Sequence, residues 1–287
     1  MKLLIWCDGG FGNRIGSLLG GLMIAKILNR EPVICWPENS YCGASFTDLY
    51  ENNYEIINIS CNELFAKYID SVFFIHYNLS SHDIKYYDVN LENFQKIIVN
   101  CEHPYIIYSN HSIPNFLNNQ TDIVSLLSRL KIKSHILKSV TDFCLLNKID
   151  RNSIGIHMRR TDVGIDINYH NFIENFIKNN NNRVFLCSDD KFTEDDFQSK
   201  YNVIIHPKNN YVEKKNKDLG WNGIIVDDNG LKWPFNVHRS KLSVIEAFID
   251  LLILSRTSIF QMNKGSTFLT LAKHYQFFEN LPGFVNN

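Results

Sequence analysis

No cysteine pair of the CxxC kind occurs in the chain, although seven cysteines are present: Cys7, Cys35, Cys42, Cys61, Cys101, Cys144 and Cys187. An odd number of scattered thiols, most of them inside apolar runs, fits buried reduced cysteine better than a disulfide framework or a zinc site. Long apolar runs are missing as well; a membrane-spanning helix needs about 20 such residues in a row. The opening MKLLIWCDGG has only five apolar residues before Cys7 and Asp8, too few for a secretory leader. Nor does one sign of charge prevail, since 29 Lys and Arg face 30 Asp and Glu, a formal net charge of -1. A chain so balanced has no general attraction for nucleic acid or an anionic membrane, so any anion must be met by a local cluster. These absences predict a soluble, cytoplasmic chain with no transmembrane segment, peripheral to a membrane at most through its partners.

What is there is ample material for a core. Hydrophobic residues make up 45% of the chain and charged ones 21%, which excludes disorder. A length of 287 residues suits one large α/β domain or two modest ones. KLLIWC (2–7) reads as a buried strand, DGGFGNRIG as a glycine-rich turn, and SLLGGLMIAKILN as a helix packed through Leu18, Leu19, Leu22, Ile24 and Ile27. PVICW (32–36) completes a βαβ unit. SVFFIHY, KIIVN and YIIYSN are further strand candidates, and residues 122–146 read as one or two helices. The polar connector NKIDRNS then separates residues 1–148 from a second α/β half, 149–287. That half contains the strands SIGIHMR, RVFLCS, YNVIIHP and SIFQMN, with a polar loop at 209–223. Its strongest helix, RSKLSVIEAFIDLLILSR, is apolar nearly all round except for one stripe of Ser243, Glu246 and Asp250.

Four short patterns carry chemistry. In SIGIHMRRTD (153–162), the two-residue period of a strand places Ile154, Ile156 and Met158 on one face and Gly155, His157 and Arg159 on the other. The glycine is expected to leave room for a ligand, and Arg159 to present a planar cation suited to phosphate at the ligand-binding end of the strand. A plain Arg–Asp pair with Asp162 or Asp166, tying down a loop, is the alternative. GGFGNR (9–14) has neither the lysine of a P-loop nor dinucleotide spacing. Gly10, Gly12 and Asn13 can instead turn backbone N–H groups toward an anion at a helix N-terminus, or form merely a tight turn. KGSTFLTLA (264–272) offers Ser266 and Thr267 as helix caps or phosphate donors. FLCSDD (185–190) ends a strand in Asp189 and Asp190, which suit a ribose or base better than a divalent metal, because two adjacent acids lack further ligands. Asp227 and Asp228 read as solvated loop residues.

These residues resemble those of the fucosyltransferase superfamily. HMRRTD resembles the nucleotide-sugar motif of α1,6-fucosyltransferases and their bacterial nodulation relatives, and GGFGNR is similar to the N-terminal turn of protein O-fucosyltransferases. LCSDD and GSTF correspond to two later motifs, in the right order, and CGASFTDLY (42–50) also looks like these transferases. The resemblance spans residues 9 to about 272 and implies a GT-B-like α/β fold, two Rossmann-like halves facing a central cleft. It implies an inverting, metal-independent transferase, without a cofactor, that moves a sugar from a GDP-sugar, usually GDP-fucose, to a glycan acceptor. Carried over by position, Arg159 would hold the β-phosphate and His157 would lie near the nucleoside. Asp189 and Asp190 would contact guanine or ribose, and Ser266 and Thr267 the pyrophosphate. Asp166 falls near the family's base, but TDVGID lacks the lysine of the family's RRTDK, so Asp162 stands beside it. Arg159, Asp162, Asp166 and Asn13 are thus the catalytic candidates. A non-catalytic glycan- or nucleotide-binding protein, or a transferase of another nucleotide sugar, are the other readings.

Overall fold

The computed structural model describes the chain except for residues 76–85, 100–101, 118, 161–166, 217–224, 227–231, 234–235, 261–265 and 280–287. Two compact units emerge: residues 1–39 with 45–131, and residues 40–44 with 132–287. The division falls at 131–132, ahead of the expected 148–149, because α6 (Ser134–Asn147) packs on α9 (Lys241–Ser255). Ile136, Val140 and Cys144, four residues apart, form its buried stripe.

In the first unit β1 (Lys2–Trp6), β2 (Glu31–Cys35), β3 (Glu55–Ile57), β4 (Val72–Ile75), β5 (Tyr86–Tyr87) and β6 (Tyr105–Ser109) form one parallel sheet in the order β3-β2-β1-β6-β4-β5. Leu4, Trp6, Val33, Cys35, Phe73, Ile75 and Ile107 make one core face with Leu64 and Phe65 of α3 (Cys61–Lys67). Helix α1 (Phe11–Ile27) packs against β1 and its neighbours. It starts six residues before the expected Ser17, since Phe11, Arg14 and Ile15 already belong to its buried face, whereas Ile27 is exposed. The short α2 (Phe46–Leu49) is closed by a Ser45–Asp48 capping box.

Residues 96–99, expected as a strand, end the helix α4 (Leu91–Val99). The reason is local: Phe94 and Ile97, three apart, are buried while Ile98 is exposed, and Asn90 Oδ1 accepts from the Asn93 N–H. Helix α5 (Gln120–Arg129) closes this unit, capped by Asn119.

The second unit holds a parallel sheet of β7 (Ile154–Met158), β8 (Val184–Ser188), β9 (Val203–Ile204) and β14 (Ser258–Phe260), in the order β14-β7-β8-β9. Between β9 and β14 lie two short antiparallel pairs, β10 (Glu213–Lys214) with β13 (Val237–His238) and β11 (Ile225–Val226) with β12 (Lys232–Trp233). Of these strands, β10 falls within the stretch 209–223 expected as loop. Ile154, Ile156 and Met158 pack with Ile173 and Ile177 of α7 (Ile167–Lys178) and Phe197 of α8 (Lys191–Lys200), the apolar face the alternation predicts. Helix α9 lies behind β14, and α10 (Thr267–Glu279) packs on α9.

In each sheet the chain runs outward on one side of the first strand and then returns to its other side. Such topological switch points leave a crevice beyond the carboxyl ends of the strands, where open α/β sheets bind ligands. The ends of β1 and β7 occupy these two positions; the glycine turn comes after β1, and Arg159 and Arg160 follow His157 and Met158 at the end of β7.

Candidate functional site

The second unit's switch point is built first by alternation along β7. His157 is half-buried and stacks on Phe268 of α10, ring centroids 4.5 Å apart. Arg159 is exposed and Arg160 buried, its guanidinium 2.9 Å from His170 Nδ1. The two arginines therefore part, one toward solvent and one into the unit.

Gly155, expected to clear space for a ligand, does not do so. A side chain there would collide with Thr257 Oγ1 and stand 3.0 Å from Leu254 Cδ2. The missing Cβ lets the turn after α9 close on the strand, so the glycine serves packing.

Asp189 and Asp190 are both half-buried at the end of β8. Asp189 Oδ1 accepts from the Arg160 N–H at 2.7 Å, and Asp190 caps α8, its Oδ2 accepting from the Thr193 N–H and Oγ1 at 2.8 and 2.7 Å. One acid is thereby fixed beside the Arg159 backbone and the other aligned with a helix N-terminus. Ser266 accepts from the Leu269 N–H at the start of α10, with Thr267 in its first turn. Asp162, Asp166, Asp227 and Asp228 lie outside the described residues.

Sequence reasoning missed the group beneath this edge. Lys208 Nζ donates to Asp250 Oδ2 at 2.5 Å, to Glu194 Oε1 at 2.7 Å and to the Ser188 carbonyl at 2.7 Å. Its side chain is only 4% exposed. Burial opposes its charge, yet Asp250 and Glu194 outweigh that and hold the ammonium well above lysine's ordinary value. Tyr211 donates to Glu194 Oε2 at 2.6 Å, and the Asn209 and Asn210 amides donate to Glu246. The stripe Ser243–Glu246–Asp250 was the available signal: carboxylates on an otherwise apolar helix need a partner.

At the first unit's switch point, Gly9 has φ +80°, a left-handed conformation that glycine adopts without strain. Gly10 is the N-cap of α1 and offers no side-chain cap, while Gly12 and Asn13 lie in the first turn, half-buried. The turn is held from below by the fully buried Arg14. Its Nε donates to the Gly9 carbonyl at 2.8 Å, its other nitrogens to the Pro37 carbonyl and Asn39 Oδ1, and its guanidinium sits 5.2 Å from the Trp36 ring centre.

Among the described residues, one cluster has the spacing of a metal site: His170, Glu174 and Asp196. Lys200 already pairs with both acids, at 3.5 and 2.9 Å, and Arg160 donates to His170 Nδ1. In neutral His170 that leaves the proton on Nε2, so neither ring nitrogen offers a lone pair to a metal.

Two parallel α/β sheets, each with polar residues at its switch point, make this a GT-B-like chain. No protein-family description and no curated sequence matches it. Its fold matches that of solved fucosyltransferases. The fucosyltransferase NodZ from Bradyrhizobium superposes with a TM-score of 0.59 at 16% identity, over 95% of this chain and 92% of that one. NodZ α-1,6-fucosyltransferase co-crystallized with GDP gives a TM-score of 0.59 at 16% identity, over 95% and 91%. POFUT1 in complex with GDP-fucose gives 0.52 at 15% identity, over 95% and 93%. Among the described residues, no helix is long and apolar enough to cross a membrane.

Proposed function

We propose that the chain is a glycosyltransferase that moves a sugar, fucose before others, from a GDP-sugar to a hydroxyl of a glycan. The observation that carries this reading is the switch-point edge of the second unit, where a solvent-facing Arg159 stands beside a stacked His157. The shared fold with NodZ and POFUT1, crystallized with GDP and GDP-fucose, supports it.

In this reading the acceptor oxygen attacks the anomeric carbon from the face opposite the diphosphate. The bond from that carbon to the β-phosphate oxygen breaks, GDP leaves with the electron pair, and configuration inverts. A carboxylate, Asp166 or Asp162, takes the acceptor proton. Negative charge grows on the β-phosphate, where Arg159 and the N-terminus of α10 at Ser266 and Thr267 stabilise it in place of a metal ion. Asp189 and Asp190 face the ribose or base, and Gly10, Gly12 and Asn13 serve an anion on the first unit.

The test is thermal unfolding with GDP, UDP and CMP, each with and without Mg²⁺, since a ligand that binds only the folded state raises stability. A shift with GDP alone, unchanged by Mg²⁺, supports the proposal, and a shift with UDP that needs Mg²⁺ overturns it. Release of fucose from GDP-fucose onto an oligosaccharide then separates a transferase from a protein that only binds.

A further inference from the structure

Lys208 has no part in the chemistry just described, yet its side chain is only 4% exposed at the second unit's ligand-binding edge. Its three partners come from different elements: the end of β8, the helix α8 and the helix α9. Both backbone groups of Ser188 are held through this cluster, the carbonyl by Lys208 itself and the N–H by Glu194 Oε1, at 2.7 Å each.

From Ser188 the chain of hydrogen bonds continues to β7. Ser188 Oγ donates to the Met158 carbonyl at 2.7 Å and accepts from the Asp190 N–H at 3.2 Å. Asp189 Oδ1 accepts from the Arg160 N–H. The residues immediately before and after Arg159 are thus pinned by Ser188 and Asp189, of which Ser188 is pinned in turn by the Lys208 cluster and Asp189 follows it in the chain.

We propose that Lys208 is a positioning residue for the nucleotide-binding edge: its buried ammonium fixes the end of β8 and, through it, the backbone on both sides of Arg159. This deepens the donor-binding reading above and rests on it. A merely structural ion cluster would hold α8 and α9 together without reaching the β7 terminus. Here the hydrogen bonds lead to the residues that the donor would meet. Misplacing a binding group by about 1 Å can lower turnover roughly 10²-fold, so the position of Arg159 is where loss of Lys208 would register.

Removing Lys208 alone would take the shared ammonium from two buried carboxylates, Asp250 keeping its contact with His206 Nδ1 at 3.2 Å, and invite unfolding. The informative protein is therefore the full chain carrying Lys208→Met, Glu194→Gln and Asp250→Asn together, which keeps side-chain size and removes the three buried charges at once. The unaltered chain is the control, because a chain that kept Lys208 without both carboxylates would hold an unpaired buried ammonium. Two readouts are taken: GDP affinity by calorimetry, and hydrogen exchange of the Ser188 and Arg160 amides relative to Leu186 and Ile156 in the same strands.

The expected result is GDP binding weakened about 10-fold or more against the control. The Ser188 and Arg160 amides should exchange at least ten times faster, while Leu186 and Ile156 hold. Unchanged affinity and unchanged exchange overturn the role of Lys208. Faster exchange with unchanged affinity overturns it as well, because the edge then loosens without consequence for the donor. If the unaltered chain itself does not bind GDP, it is the donor reading that falls. The exchange rates then still decide whether Lys208 holds the β8 end and the Arg160 amide.

Discussion

Neighbouring residues at the end of a strand face opposite ways, so Arg159 is exposed while Arg160 is buried against His170. Substitution should separate their roles. Arg159→Ala should leave stability within about 0.5 kcal/mol, as surface changes do, yet lower transfer roughly 10²- to 10³-fold, the usual effect of losing one preorganised donor to a developing anion. Arg160→Ala should instead destabilise by about 1–3 kcal/mol, since it removes a buried hydrogen-bonding group. Steady-state kinetics and urea unfolding on both variants check the contrast; equal effects on turnover and stability would contradict it. His274 supplies a pH dependence with a definite sign. Burial holds its imidazole below the ordinary 6.5, so the unfolded chain takes up the proton first. Its contribution is complete above about pH 6.5 and shrinks as pH falls toward the lower folded value. Unfolding free energy between pH 7.5 and 5 should therefore decline less steeply in His274→Gln. Thiol chemistry tests the same kind of burial. Cys7, Cys35, Cys42, Cys144 and Cys187 are buried and unbridged, and burial pushes Cys35 up to about 12. A thiol reagent at pH 8 should leave these five unmodified until the chain unfolds.

At the scale of elements, strand β7 was legible because its alternation is strict, and its apolar face meets α7 and α8 as the period requires. The stretch at 96–99 misled because Lys-Ile-Ile-Val has strand composition; its helical partner Phe94 and the Asn90 cap lie just upstream, outside the run itself. Arg159 and His157 were legible as site candidates by residue type and place. Lys208 was not, since nothing in Pro207–Lys208–Asn209 says that α8, α9 and the end of β8 converge there. Gly155 was located correctly and given the wrong work, because a sequence cannot tell which neighbour uses the room a glycine leaves. Its packing role makes a prediction. Gly155→Ala sets a methyl against Thr257 Oγ1, with Thr257 Cβ at 3.1 Å. The expected destabilisation is about 1–3 kcal/mol, typical of an overpacked interior. Thr257→Ala added to it removes the hydroxyl and should recover part of that loss, a coupling that a double-mutant cycle in urea measures. Simple additivity of the two substitutions would show that the strand and the α9 turn do not meet as described.

For the whole molecule, the division into two units makes the place of donor binding a measurable quantity. Arg159, His157, Asp189, Asp190, Ser266 and Thr267 all belong to residues 132–287, while Gly10, Gly12 and Asn13 belong to the first unit. The near-neutral net charge matters here, because without a general anionic attraction the proposed nucleotide would need a local site. At a concentration 100 times its Kd, a ligand stabilises the state that holds it by about 2.7 kcal/mol. A shift in melting temperature reports that sum and not where it arises. Hydrogen exchange resolves the location, since amides in the segments that contact the nucleotide slow while remote ones do not. With saturating GDP, protection is expected at 154–160, 188–190 and 266–270. The amides of β1 and β2 should exchange at their unliganded rates. Protection concentrated instead on residues 9–14 would move the donor to the glycine turn of the first unit and leave Arg159 to the acceptor. Protection of both sets would leave the assignment to substitution. The Asn13→Ala variant then decides between these outcomes. A loss of GDP affinity on that change, with Arg159→Ala neutral, reverses the assignment of the two switch points.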